Sequence, residues 1–312
     1  MRLTRAPVDG TRQLVDQRRH EARRPTGRRS LTLAIHLGLA LLLAPPASRA
    51  APFERDRDGG PKLTARAVLV LDKTGKALLS RNSDEVRSIA SLTKLMATLV
   101  LFDRGLKLDQ GTVINRDDWK VALDGCRTRL ELKWTYRNLD LLHAALMSSD
   151  NRAVSALGRA VGLSGNGLVQ AMNERARRMK LSLTQFVGPV GIEPANVSTA
   201  REVSRIVHEL ARYKSVRSIM NKAEHPVKPL RGYLKVHYRN TNPMVGAKGI
   251  TFLVSKTGFN HKAGYCLAAA ARVHDLGDLT IILLGSKRKA ERFNDLSRVL
   301  RWVRAGGRQK QV

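Results

Sequence analysis

Hydrophobic and polar positions follow two rhythms along the chain, one of strands and one of helices. Ala65–Asp72 (ARAVLVLD) is a short apolar run that predicts a strand, Lys73–Lys76 a turn, and Ala77–Ser80 the return strand of a β-hairpin. Ser91–Asp103 (SLTKLMATLVLFD) predicts a helix with Leu95, Leu99 and Phe102 on one face and Gly105 just past its end. Asn138–Met147 and Asn151–Val161 predict two helices around the break Ser148-Ser149-Asp150, and another spans roughly Asn166–Met179. Thr199-Ala200-Arg201-Glu202 reads as a capping box opening a helix to about Ala211. Thereafter the period changes. Tyr233–Arg239 (YLKVHYR) alternates like a half-buried strand, and Ile250–Lys256, Gly264–Val273 and Leu279–Gly285 are three more strand candidates. The last helix carries Phe293, Leu296, Val299, Leu300 and Val303 at helical spacing, a stripe suited to packing on a sheet. Hairpin, helical middle, antiparallel strands and final helix together predict an α+β fold with a helical insert.

Composition changes this picture at one end. Arginines crowd residues 2–29, followed by the apolar run Leu31–Ala44 and by Pro45-Pro46 and Ala47-Ser48-Arg49-Ala50. A basic region, a short apolar run and a small-x-small end describe a secretory signal, here cleaved after Ala50 and followed by life in the periplasm or outside the cell. The run has 14 residues, fewer than the roughly 20 of a membrane-spanning helix. Residues 1–50 are therefore expected as a signal peptide, 51–61 as a disordered lead-in, 62–305 as one catalytic domain and 306–312 as a tail. Across 312 residues, 56 Lys+Arg against 26 Asp+Glu give +30. That balance points to a polyanionic partner, an anionic wall polymer or membrane surface; no arginine-rich repeat or RNA-binding aromatic signature accompanies it, so nucleic acid is not expected.

Cys126 and Cys266 lie far apart, no CxxC or Cys/His cluster exists, and His143, His208 and His274 lack HExxH spacing. No metal and no cofactor are expected.

The candidate chemistry lies in three short motifs. Ser91-Leu92-Thr93-Lys94 opens the first strong helix, where positions i and i+3 share a face and the lysine amine can reach the serine hydroxyl. A helix N-terminus also offers free N–H groups to a developing oxyanion. Ser149-Asp150-Asn151 sits between two helices, where an N-cap is the structural reading and a proton relay with a substrate-binding amide the functional one. Lys256-Thr257-Gly258 ends a strand, where lysine and hydroxyl suit a carboxylate and glycine allows close approach. A second Ser-x-x-Lys at Ser286–Lys289 reads as chance, and Lys73-Thr74-Gly75 as the hairpin turn. Each motif alone is weak; their order along the chain is specific, because the same trio marks penicillin-binding proteins and class A β-lactamases.

The chain resembles the penicillin-recognising serine D,D-peptidases from about Ala65 to Val303, and most of all the single-domain D-alanyl-D-alanine endopeptidases. Leu142–Leu157 (LHAALMSSDNRAVSAL), Phe186–Ala200 (FVGPVGIEPANVSTA) and Ser255–Leu267 (SKTGFNHKAGYCL) extend the likeness. The resemblance implies a β-lactamase/transpeptidase-like fold, an antiparallel sheet with flanking helices beside an all-helical subdomain. It implies Ser91 as nucleophile, Lys94 as its general base, Ser149 as relay to the leaving amine, and Asn151 as holder of the substrate backbone. Lys256 and Thr257 would bind the carboxylate beyond the scissile bond, Gly258 would admit the substrate, and the N–H groups of Ser91 and Phe259 would form an oxyanion hole. Lys94 must be neutral to accept a proton, which burial and the nearby Lys256 favour.

The implied partners are peptidoglycan stem peptides, with β-lactams as covalent inhibitors. Glu193 falls where class A β-lactamases carry a deacylating glutamate, but Glu-x-x-Asn spacing fits the peptidases better and Glu193 is expected at the surface. The motifs suit endopeptidase and carboxypeptidase alike; chain length favours the endopeptidase by analogy. A β-lactamase and a non-catalytic basic wall-binding protein are the rival readings.

Overall fold

The computed structural model describes Asp56 and residues 59–121, 128–163 and 165–307. The expected signal peptide, most of the lead-in, Cys126 and the last five residues lie outside the described residues. The described end of the lead-in is packed: Gly60 and Pro61 are buried, and Arg81 pairs with Asp56 at 2.9 Å.

β1 (Ala67–Leu71) and β2 (Ala77–Arg81) form the predicted hairpin, turned by Gly75 at φ +84°. After β3 (Arg87–Ser88), a 3₁₀ turn over Ala90–Leu92 leads into α1 (Thr93–Asp103). Every residue of α1 from Thr93 to Leu101 is buried, so the helix does not show the single apolar face expected of it; it runs through the core with protein on all sides.

The helical half continues through β4 (Gly111–Val113), α2 (Arg116–Lys120), β5 (Thr135–Arg137), α3 (Asn138–Met147), α4 (Asn151–Ala160) and α5 (Gly165–Arg178). β6 (Val197–Ser198) pairs with β3 and precedes α6 (Ala200–Leu210) and α7 (Lys214–Met220). Thr199 caps α6 by accepting from the Glu202 N–H, yet the box is not reciprocal. The Glu202 carboxylate is taken instead by the Leu183 N–H and the Thr184 hydroxyl, which ties the preceding loop to the helix.

The expected strand at Tyr233–Arg239 shortens to β8 (Val236–Arg239), which pairs with β7 (Glu224–Val227) in a hairpin outside the main sheet. β9 (Ile250–Asn260), β10 (Gly264–Val273), β11 (Gly277–Ser286) and α8 (Glu291–Arg304) complete the chain.

The main sheet is antiparallel in the order β2-β1-β11-β10-β9. Its two faces explain why β1 reads as one apolar run. Val68 and Val70 pack with Leu296, Val299, Leu300 and Trp302 of α8, whereas Ala67, Leu69 and Leu71 belong to the core shared with α1 and α6. A strand covered on both sides has no polar face to alternate with. The architecture is the α+β arrangement expected, with β9 at the sheet edge beside the start of α1.

Candidate active site

The site is built where the turn before α1 is held between two glycine-bearing segments. Gly191 has φ +88°, and a Cβ there would stand 2.1 Å from the Ala90 carbonyl oxygen and 2.9 Å from Ser91 N. On the other side, a Cβ on Gly258 of β9 would lie 3.0 Å from Ile89 O and 3.3 Å from Ser91 N. Backbone therefore approaches Ser91 from both sides, so closely at Gly191 that a side chain is forbidden and closely enough at Gly258 that one would need its neighbours to give way. Ala90 itself takes φ +46°, a conformation uncommon for a residue with a side chain.

From the first turn of α1, Lys94 Nζ donates to Ser91 Oγ at 3.0 Å and to the Val190 carbonyl at 2.6 Å, and Lys94 is wholly buried. The i, i+3 spacing read from the sequence thus gives the contact it predicts. The Val190 carbonyl was not legible there. It is presented by the loop 186–196, closed on itself by Asn196, whose amide accepts from the Val187 and Gly188 N–H groups and donates to Gly188 O and Thr93 Oγ1. Glu193 lies inside this loop, half-buried, with its carboxylate on Gly188 and its Oε2 without a hydrogen-bond partner among the described residues. It is not the surface residue expected, because the closure by Asn196 folds the turn around it.

The loop between α3 and α4 presents Ser149, and the first residue of α4 is Asn151. Asp150 is the N-cap of α4, accepting from the Ala153 N–H at 3.2 Å, so the structural reading of this motif holds beside any functional one. Its other oxygen accepts from the hydroxyl of Tyr238, a fully buried residue of β8, at 2.8 Å. Burial first, then the Asp150 charge, push the Tyr238 phenol far above its usual ionisation, so it remains a donor. Ser149 takes φ +64°. Its Oγ, and both polar atoms of the Asn151 amide, are buried with no hydrogen-bond partner among the described residues. Three unanswered polar atoms where this loop enters α4 are costly in a folded protein and point to a ligand.

Lys256-Thr257-Gly258 lies inside β9, not at its end, because Phe259 and Asn260 go on to pair with Tyr265 and Gly264. Lys256 is buried and donates to Thr257 O at 2.8 Å. Thr257 Oγ1 donates to Thr241 Oγ1 at 2.8 Å, and the Thr241 N–H donates to Met147 O at 2.9 Å. Thr241, which no sequence motif marks, thereby joins β9 to the end of α3. Arg292 of α8 is a second residue missed: buried, it donates from Nη1 to Gly258 O at 3.1 Å and lies over the Tyr265 ring. Desolvation lowers its pKa to about 10, which leaves it charged at neutral pH. Phe259 is half-exposed and stacks on Tyr265 at 4.3 Å.

Other candidates fall elsewhere. The serine of Ser286–Lys289 bonds Asp295 and its lysine is exposed. His208 bonds Thr280 at 2.8 Å. Asp140, His143 and His225 bring three potential ligand atoms within 4.8 Å of one another, but the two imidazoles stack at 3.6 Å and 13°, which does not aim both lone pairs at one point. Cys266 is buried, and burial pushes its thiol up to about 11.

Comparison with known proteins fits this arrangement. Residues 55–287 match the family model of D-alanyl-D-alanine carboxypeptidase, peptidase S11. A D-alanyl-D-alanine endopeptidase of Pseudomonas aeruginosa is 31% identical over 278 residues, 89% of this chain and 87% of that one. A D-alanyl-D-alanine carboxypeptidase of Escherichia coli, DacC, is 28% identical over 260 residues, 78% of this chain and 62% of the relative. The crystal structure of the Streptomyces K15 DD-transpeptidase superposes with TM-score 0.72 at 24% identity, covering 79% of this chain and 99% of that one, and shares the fold. With a buried lysine on a serine hydroxyl at the head of α1, and a family match spanning both halves of the fold, the chain belongs to the D-alanyl-D-alanine carboxypeptidase family, peptidase S11.

Proposed function

We propose that the protein is a serine D,D-peptidase that hydrolyses D-alanyl peptide bonds of peptidoglycan, acting as an endopeptidase on cross-links. The observation that carries the reading is the buried Lys94 Nζ at 3.0 Å from Ser91 Oγ. Removing an amine from water disfavours its charged form, so an uncharged Lys94 can take the hydroxyl proton as Ser91 attacks the D-alanyl carbonyl. The tetrahedral oxyanion is met by the N–H groups of Ser91 and Phe259. Ser149 passes the proton to the departing amine, the C–N bond breaks, and an ester remains on Ser91. Water then cleaves that ester with Lys94 again as base, releasing the carboxylic acid and restoring the serine. Asn151, with both amide atoms unpartnered among the described residues, pairs with the peptide backbone of the substrate. Lys256 and Thr257 receive the carboxylate of the residue beyond the scissile bond, and Gly258 leaves the edge of β9 open to it. Residues 1–50 direct export and are removed, and the excess positive charge favours contact with the anionic wall.

Support for the endopeptidase reading comes from the Pseudomonas aeruginosa relative, which matches 89% of this chain. The carboxypeptidase reading is favoured by the family description and by the DacC relative. Both bonds place a carboxylate one residue beyond the cut, so the motif residues serve either. Two measurements test the proposal. Fluorescent penicillin should label the protein stoichiometrically and Ser91→Ala should abolish the label; labelling that survives this change removes Ser91 from the chemistry. Purified muropeptide dimers should fall to monomers, whereas loss of a single terminal alanine would make the enzyme a carboxypeptidase.

A further inference from the structure

The hairpin of β7 and β8 carries an exposed apolar and cationic tip that the catalytic reading leaves unused. Tyr233 is fully exposed at 103%, and Leu230 and Leu234 are half-exposed. Large apolar side chains gathered on one tip mark an interaction surface. The tip is built to a definite shape. The Leu230 N–H donates to Thr135 O at 2.8 Å, and Gly232, at φ +113°, lies on Trp134 so closely that a Cβ would stand 2.1 Å from the ring. Beside Trp134 and Leu230 opens a cavity of about 540 Å³. Lys133 and Arg231 line it and are exposed, Lys228 and Lys235 are exposed on the same hairpin, and residues 226–238 contain no acid.

We propose that this surface is a glycan-docking site, taking a peptidoglycan glycan strand whose stem peptides carry carboxylates; it rests on the peptidase reading and names where its polymeric substrate is held. A sugar ring offers apolar C–H faces that pack on aromatic rings, and Tyr and Trp supply such area at little entropic cost. The cations match the carboxylates of the stems. A concave cavity favours a discrete ligand over a flat lipid surface. Continuity with the site adds to this: β5 runs directly into α3, which leads into the loop that carries Ser149, and β8 runs through Arg239 to Thr241, which touches Thr257. From Tyr233 to Thr241 the chain spans at most about 28 Å. An enzyme tethered there sees cross-links at raised effective concentration.

The test is co-sedimentation with purified insoluble sacculi, using the full chain as Ser91→Ala to prevent digestion. Adding Tyr233→Ser with Arg231→Glu should weaken binding about five- to thirty-fold. In the otherwise unchanged enzyme the same pair should leave fluorescent-penicillin labelling and cleavage of soluble muropeptide dimers intact, which separates this site from the catalytic one. Unchanged binding to sacculi overturns the proposal. So does a variant that binds sacculi normally but loses binding to vesicles of anionic phospholipid, or loses self-association in sedimentation velocity, since the tip then serves a membrane or a second copy. Failure of penicillin labelling in the parent enzyme would sink the peptidase reading instead, independently of the sacculus measurement.

Discussion

At the scale of single residues, the site depends on what two glycines omit. Gly191 and Gly258 let backbone close on the Ser91 turn from opposite sides, and Gly191 does so at a positive φ. Gly191→Ala should therefore be severe. Its Cβ would meet the Ala90 carbonyl at 2.1 Å, with backbone and not a flexible side chain in the way. We expect a loss of a few kcal/mol in stability, read by urea denaturation, and penicillin acylation slowed well beyond that of a surface control. A variant that acylates at the parental rate would show that the turn has room to shift. The lysine–serine contact needs no such construction, since the i, i+3 spacing across the 3₁₀ turn and the start of α1 brings the two side chains together.

Between elements, α3 and β7 meet through a stacked pair of histidines. His143 Nδ1 lies 2.8 Å from Leu139 O, which fixes it as the protonated nitrogen, and its ring stacks on His225, itself 2.8 Å from Asp140. Desolvation foremost, opposed by the bond to Leu139 O and helped by charge from His225 and Lys222, keeps the His143 ring neutral down to about pH 4, against an ordinary value of 6.5. Between those values the unfolded chain binds a proton that the folded one refuses. Stability is therefore expected to fall as pH drops from 6.5 to 4, by on the order of 3 kcal/mol, and to lose this dependence below 4. Chemical denaturation across that range, compared with His143→Leu, checks it: the variant should show a flatter slope. Parallel slopes would assign the pH dependence to other groups.

Over the whole molecule, segments far apart in sequence are fastened by a few buried polar contacts. Asp150 and Tyr238 are 88 positions apart, and Thr241 ties both α3 and β9 to the same stretch of chain. Tyr238→Phe keeps the ring but leaves the second oxygen of Asp150 without its donor. A cost of about 1–3 kcal/mol is expected for the stranded buried acceptor. If the tie also positions Ser149 and Asn151, acylation by penicillin should slow in the folded variant. Loss of stability with unaltered acylation would make the contact structural alone.

The sequence by itself determined the strand and helix periods, the hairpin turn at Gly75, the i, i+3 reach of Lys94 to Ser91, and the stripe by which α8 packs on the sheet. Each follows from local spacing, because the backbone period alone decides which neighbours can meet. Tertiary structure alone decided the rest. It buried α1 on all sides, carried β9 past the lysine–threonine–glycine motif, turned Glu202 away from its cap and folded the loop around Glu193. It also recruited Tyr238, Thr241 and Arg292, whose partners lie between 16 and 94 positions away and leave no local pattern. Contacts of that kind arise only once the sheet and the helical half have closed on each other, since closure sets which distant side chains share a space.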